Sequence, residues 1–202
     1  MNKLSTRASS DDPATTLVKP PHLILGIDPG LTGGLAIFNP LTGLSECTIM
    51  MPTITVPHKR RVVRDLSGRQ TMTQLKKEEK EIIDPYGLSI FIGRWAPEIA
   101  YAVIEDVHAM PGQGVSSMFT FGRALGMVQA AVASHMIPIY FIKSSVWKSG
   151  MNLDKNKHNS IEMAKRLFPE SVDDFKLKRH DGRAEALLLA VFADRHIKIK
   201  TA

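Results

Sequence analysis

Apolar runs and polar breaks alternate along the chain. Residues 22–27 (HLILGI) form a short apolar run, bounded by prolines before it and by Asp28-Pro29-Gly30 after it. That pattern predicts a buried strand ending on an acid. Gly33-Gly34 turns the chain, residues 35–38 are apolar again, and NPLTG at 39–43 is a second turn cluster. Residues 44–51 return as a third strand. Residues 86–95 read as a short helix stopped near Pro97. Residues 101–104 (YAVI) and 138–142 read as two further core strands, with a long helix over 116–136 between them. Residues 159–168 are amphipathic, with Ile161, Ala164 and Phe168 on one face. Residues 182–197 close the chain as a helix. Three strands followed by alternating helices and strands predict a mixed α/β sheet with packed helices.

Two segments break this pattern. Residues 1–21 are rich in Ser, Thr and Pro and read as a disordered tail. The tail lacks the apolar core of a secretory signal, and Asp11 and Asp12 argue against a transit peptide. The folded region then spans 22–202, interrupted by a highly charged insertion over 52–84. The insertion reads as an exposed excursion, partly helical around 73–83. It is either a solvated surface or a basic arm for nucleic acid.

Composition narrows the class. The chain has 202 residues, with 26 Lys and Arg against 20 Asp and Glu, a formal charge of +6. The longest apolar run, Ala186 to Ala193, has eight residues, short of the roughly 18 a membrane helix needs. The lone cysteine, Cys47, excludes an internal disulfide and Cys-rich zinc modules, and suits an intracellular, reducing location with DNA; an organelle stays open. A sequence pI near 9.5 favours a polyanionic partner, nucleic acid first.

Four acids then stand out. Asp28 and Glu105 each follow a predicted strand, where open α/β sheets place their ligands. Asp181 and Glu185 are four apart, hence one turn apart on a common face if the last helix has begun by Asp181. Carboxylates that converge repel, and a hard cation such as Mg²⁺ or Mn²⁺ resolves the conflict. Two such ions about 4 Å apart can activate water and stabilise the leaving oxygen in phosphodiester cleavage. Each acid taken singly is equally well a surface residue, and Asp181 a helix cap.

In this order, GIDPGLTGGLAI, AVIEDVHAMPGQG, VWK and DGRAEALLLA resemble the RuvC group of Holliday junction resolvases, in the RNase H-like (retroviral integrase) superfamily. The resemblance covers about residues 22–197. It implies an RNase H-like mixed five-stranded sheet, three antiparallel strands beside parallel ones, with helices on both faces. It implies a crossover junction endodeoxyribonuclease, a homodimer that resolves four-way DNA by paired nicks in recombination and repair. It assigns Asp28, Glu105, Asp181 and Glu185 to Mg²⁺ or Mn²⁺, two ions per active site. The family's final pair is typically two Asp three apart; here it is Asp181 and Glu185, four apart. Phage-type and organellar relatives tolerate such variation, so both are kept.

The same resemblance implies DNA contacts by lysines after the strand at 138–142: Lys148 in VWK, then Lys155 and Lys157. His108 and Phe119 lie near the start of the long helix, where an aromatic in relatives stacks on bases. Phe119 and Phe121 are alternatively core residues. Gly122, Gly126, Ala130 and Ala133 form a small-residue stripe on that helix. It packs either on the protein's own sheet or, as the resemblance implies, on a partner subunit.

Three other functions compete. DPGLTGG also resembles the phosphate loop of actin-like and sugar-kinase ATPases. Those need two such subdomains and two loops, and this chain has one loop. A nuclease of the same fold acting on other branched or single-stranded DNA, and a non-catalytic nucleic-acid-binding module, are the remaining two. The intact acids argue against the last.

Overall fold

The computed structural model describes residues 20–60, 67, 77–106, 108, 112, 114–154 and 156–197. The predicted tail, apart from its last two residues, lies outside them. Strands β1 (Leu23–Asp28), β2 (Gly34–Asn39) and β3 (Leu44–Met50) form an antiparallel meander. Strands β4 (Thr53–Arg60) and β5 (Lys77–Ile83) pair with each other as a separate two-stranded ribbon. Helix α1 (Pro85–Trp95) follows, then strand β6 (Ile99–Asp106) and the 20-residue helix α2 (Val115–Ser134). Strand β7 (Ile139–Lys143) leads into helices α3 (Ser144–Gly150) and α4 (Lys157–Leu167). Two 3-10 segments then precede helix α5 (Asp181–His196).

The main sheet has the order β3-β2-β1-β6-β7, with β1-β6 and β6-β7 parallel. This is the mixed five-stranded α/β sheet expected from the sequence. Strands β1 and β6 are central and buried on both faces, which explains their continuous apolar runs. Leu23, Leu25 and Ile27 of β1 point to one face, covered by α1 and α2. Ile24 of β1 and Tyr101 and Val103 of β6 point to the other, covered by α4 and α5.

Local chemistry starts the helices where it should. Asp84 caps α1 by accepting from the Tyr86 amide at 3.0 Å, and Pro85 occupies the first turn. Asn156 caps α4 by accepting from the His158 amide at 3.1 Å. Ile161, Ala164 and Phe168 are all buried, as the amphipathic pattern predicts. Helix α5 differs: Ala184 through Ala193 are buried all round, the mark of a central helix.

That helix lies on the sheet backbone to backbone. A Cβ at Gly26 would stand 2.0 Å from the carbonyl oxygen of Ala186. A Cβ at Gly34 would stand 2.8 Å from the Arg183 amide, and one at Gly182 2.5 Å from the carbonyl carbon of Gly33. Gly33 and Gly182 are joined by a parallel bridge. Glycine is required here for approach, because any side chain would lift the helix.

Two expectations need correcting. The segment over 73–83 is not helical where it is described: Lys77–Ile83 is β5. KEEKEII is composed of helix formers, but Thr53, Ile54, Thr55 and Val56 opposite are β-branched, and pairing overrides weak local propensity. Residues 138–142 do not form a core strand either. β7 is the edge of the sheet, and Tyr140 and Phe141 are partly exposed. No described helix is long and apolar enough to cross a membrane.

Gly26→Ala should destabilise the protein by about 3 kcal/mol or more, the upper range for overpacking, because the clash is with backbone. Gly122 has nothing within 4 Å of its Cβ position. Gly122→Ala should raise stability by up to about 1 kcal/mol, the helix-propensity difference. Urea unfolding of both variants measures this; equal effects would contradict the packing described.

Candidate functional site

The alternation of strand side chains places the first two acids. Gly26 pairs with Val103 and Ile27 with Ile104, so Asp28 and Glu105 are each the next residue on in adjoining parallel strands. Ile24 faces α5, as do Tyr101 and Val103. With a period of two, Asp28 and Glu105 share that face. Asp106 falls on the opposite one, where its carboxylate is 3.3 Å from Nε2 of the exposed His108.

The second pair arrives with α5. The helix has begun by Asp181, so Asp181 and Glu185 are one turn apart as expected. Gly182 against Gly33, and Ala186 against Gly26, seat this first turn beside the carboxyl end of β1. Asp28 and Glu105 thus end on the sheet face that α5 covers, and Asp181 and Glu185 stand at the start of that helix. Glu105, Asp181 and Glu185 are buried, at 7%, 9% and 4% exposure. Asp28 is half-buried.

Buried carboxylates need donors. Trp147 of α3, fully buried, donates its indole N–H to Glu105 Oε1 at 3.0 Å. Lys148 Nζ lies 2.7 Å from Glu185 Oε1, and Ser160 Oγ of α4 donates to the same oxygen at 3.1 Å. The Lys148 ammonium also sits 5.2 Å from the centre of the Trp147 ring. The resemblance implies that Lys148 meets DNA; the structure holds it on Glu185, with its side chain only 15% exposed. Trp147 and Ser160 escaped the sequence reading. Their signals were present: a Trp beside the marked lysine, and a Ser on the buried face of α4 next to Ile161.

His180 precedes this turn and is buried, with no hydrogen-bond partner at Nδ1. Burial, then the nearby Arg183 guanidinium, lowers its pKa, so the ring is neutral at pH 7.

An open cleft of about 1160 Å³ adjoins the acids. Asp181 is in its wall, while Asp28, Glu105 and Glu185 are not among its lining residues. Its rim carries His158, Lys165, Lys176, Lys178 and Arg179. Thr53 and Glu81, at the base of the β4-β5 ribbon, complete one side.

The other expected contacts are scattered. Lys155 lies outside the described residues, and for Lys157 only the backbone, at the start of α4, is described. Phe119 is 73% exposed on α2, which corrects the core alternative for that residue. Gly122, Gly126, Ala130 and Ala133 are exposed as well, so the stripe does not pack on the protein's own sheet. That sheet is met instead by Ala124, Val128 and Val132.

No protein-family model matches the chain, and no curated protein does. Solved structures do match. Thermus thermophilus RuvC in complex with a Holliday junction substrate superposes with a TM-score of 0.52 at 13% identity, covering 86% of this chain and 95% of that one. The fold is RuvC-like. A second Thermus thermophilus RuvC structure gives a TM-score of 0.49 at 14% identity over the same shares.

Asp28, Glu105, Asp181 and Glu185 offer carboxylate oxygens, the chemistry that hard divalent ions take. As placed, the side chains do not close round an ion: among the described residues, no group of three or more His, Cys, Asp or Glu is arranged to hold one. Lys148 occupies Glu185 instead, as an internal cation. The Lys148 and Ser160 contacts both fall on Oε1 of Glu185, so an ion there would share that carboxylate with the ammonium or displace it.

Removing one partner of a buried pair strands the other, at about 3–5 kcal/mol. Lys148→Met should therefore destabilise the protein by about that much. Adding Glu185→Gln should recover most of the loss. A double-mutant cycle by urea unfolding measures the coupling, and simple additivity would mean that the pair contributes nothing.

Proposed function

We propose that this protein is a divalent-metal-dependent endonuclease that cuts branched DNA, four-way junctions first, as a homodimer. One observation carries the reading: Asp28 and Glu105 end adjoining strands on the sheet face that α5 covers, and Asp181 and Glu185 stand one turn apart at the start of α5. The RuvC-like fold supports the substrate class, because the similar Thermus thermophilus protein is seen with a Holliday junction.

In this reading Asp28, Glu105, Asp181 and Glu185 hold Mg²⁺ or Mn²⁺. The metal, when bound, would lower the pKa of a water and neutralise charge at the phosphate. The chain's own residues do the rest. Trp147 orients the Glu105 carboxylate through its indole N–H. Lys148, held on Glu185 and 15% exposed, would supply a cation for the DNA phosphate. Lys165, Lys176, Lys178 and Arg179 on the cleft rim take neighbouring phosphates, which position the strand without reading its sequence. Exposed Phe119 offers a stacking surface to an unpaired base.

Cleavage of a synthetic four-way junction, a flap and a linear duplex, with and without Mg²⁺, tests the reading. Asp28→Asn and Glu105→Gln should each lower junction cleavage by at least about 100-fold, the scale of losing one charge-stabilising group. Junction binding should persist or tighten, because less negative charge faces the phosphates. Full cleavage by Asp28→Asn, or by wild type in excess chelator, contradicts the proposal. Preference for the flap would redirect it to another branched substrate.

The dimer rests on α2. Paired nicks need two sites related by a two-fold axis, and the exposed Gly122, Gly126, Ala130 and Ala133 would let a second helix approach closely. Light scattering should give twice the 22.3 kDa chain mass. A monomer both free and on junction DNA would remove the dimer.

A further inference from the structure

The cleft beside Asp181 has two chemistries, and phosphate binding uses only one of them. Its rim is cationic, but its floor is apolar. Met51, Ile161 and Phe175 line it, and all three are core side chains, at 3%, 3% and 0% exposure. Ile161 and Phe175 belong to the core under α4 and α5, and Met51 to the core under α1 and α2. The floor is therefore anchored from both sides of the sheet and is as closely packed as the interior. Leu31 and Met50, half-buried, extend it.

Leu177 adds an apolar side chain from the rim. It is 46% exposed and stands in extended backbone (φ −104°, ψ 147°) between the two 3-10 segments. Its carbonyl accepts from the His180 amide at 2.9 Å, which ties it to the turn that precedes Asp181. Cations flank it, as KLKR over 176–179. Lys176 pairs with Asp173 at 2.7 Å, whereas Lys178 and Arg179, both exposed, are in no ion pair among the described residues. The acids in the wall are Asp181 and Glu81, and Glu81 accepts from the Thr53 hydroxyl.

A phosphate needs only the cations. The apolar floor gains nothing from a duplex, whose base faces are already stacked. It gains from a base that has left its stack, which has two apolar faces to bury while its phosphates stay at the rim. Leu and Met are among the side chains that proteins set against unstacked bases. The cleft, at about 1160 Å³, is larger than the roughly 300–1,000 Å³ of small-ligand pockets, so a nucleotide fits.

We infer that this cleft is a subsite for an unpaired nucleotide of a DNA strand. Leu177, Leu31 and Met50 take the base against the apolar floor, and Lys178 and Arg179 take the phosphates beside it. The subsite selects unpaired strand over duplex without reading the base. The inference rests on the proposed function for its choice of DNA, and adds the place where branched DNA would be told from duplex.

The test is fluorescence anisotropy of the full chain, in EDTA, on a labelled oligothymidine and on a blunt duplex of the same length, over a series of salt concentrations. Leu177→Ala should weaken single-strand binding about tenfold, the scale of losing part of one buried apolar side chain, and leave duplex binding as it was. The slope of log K against log salt should not change in that variant, because no phosphate contact is lost. Leu177→Met, an apolar swap of similar volume, should bind as wild type. Lys178→Gln/Arg179→Gln should instead lower the single-strand slope by up to about 1.4, at roughly 0.7 for each phosphate no longer neutralised. An unchanged ratio of single-strand to duplex affinity in Leu177→Ala would overturn the inference, whether both affinities hold or both fall together. The two readings fail separately. A protein that cuts no substrate yet shows the Leu177 effect keeps the subsite and loses the nuclease. One that cuts junctions with an unchanged ratio in Leu177→Ala does the reverse.

Discussion

The backbone-to-backbone seat of α5 on β1 and β2 is the constraint from which the rest follows. Gly26, Gly34 and Gly182 remove every Cβ that would hold the helix off the sheet. Residues 186–193 of the helix are apolar on all sides, so once it is seated, Leu187, Leu188, Leu189 and Phe192 each contribute about 1.5–3 kcal/mol of burial. The same contact fixes where the first turn of the helix ends up. Asp181 starts the helix beside the carboxyl end of β1 because Gly182 rests on Gly33. Core packing and site assembly are here one interaction.

That arrangement buries the carboxylates of Glu105 and Glu185, and the fold answers each with donors. Trp147 and Ser160 serve Glu105 and Glu185 from α3 and α4, two helices that neither strand alternation nor the α5 pattern would have linked to the acids. Lys148 supplies a formal positive charge to Glu185 and rests its ammonium near the Trp147 ring. A buried ion pair is a poor source of net stability. It is, however, a way to keep a carboxylate aimed. It also makes Glu185 the acid whose release would be coupled to a change at Lys148.

The rim of the cleft is basic through residues of α4 and the 3-10 segments.

The strands, the central helix and the parity of the strand-end acids were all legible in the amino-acid order, because each rests on a short-range period. HLILGI and YAVI are apolar throughout because both faces are covered. Asp28 and Glu105 inherit their side of the sheet from residues two and four before them. Three other matters needed the folded chain. KEEKEII became a strand because Thr53 to Val56 offered it a partner, and propensity worth tenths of a kcal/mol per residue yields to a hydrogen-bonded ladder. Residues 138–142, apolar enough for the core, went to the sheet edge, because strand order is set by which helices cover which face. Lys148 turned inward to Glu185, 37 residues away. The pairing of two charges across such a separation depends on where the glycines let α5 settle, and no local period in the chain encodes that distance.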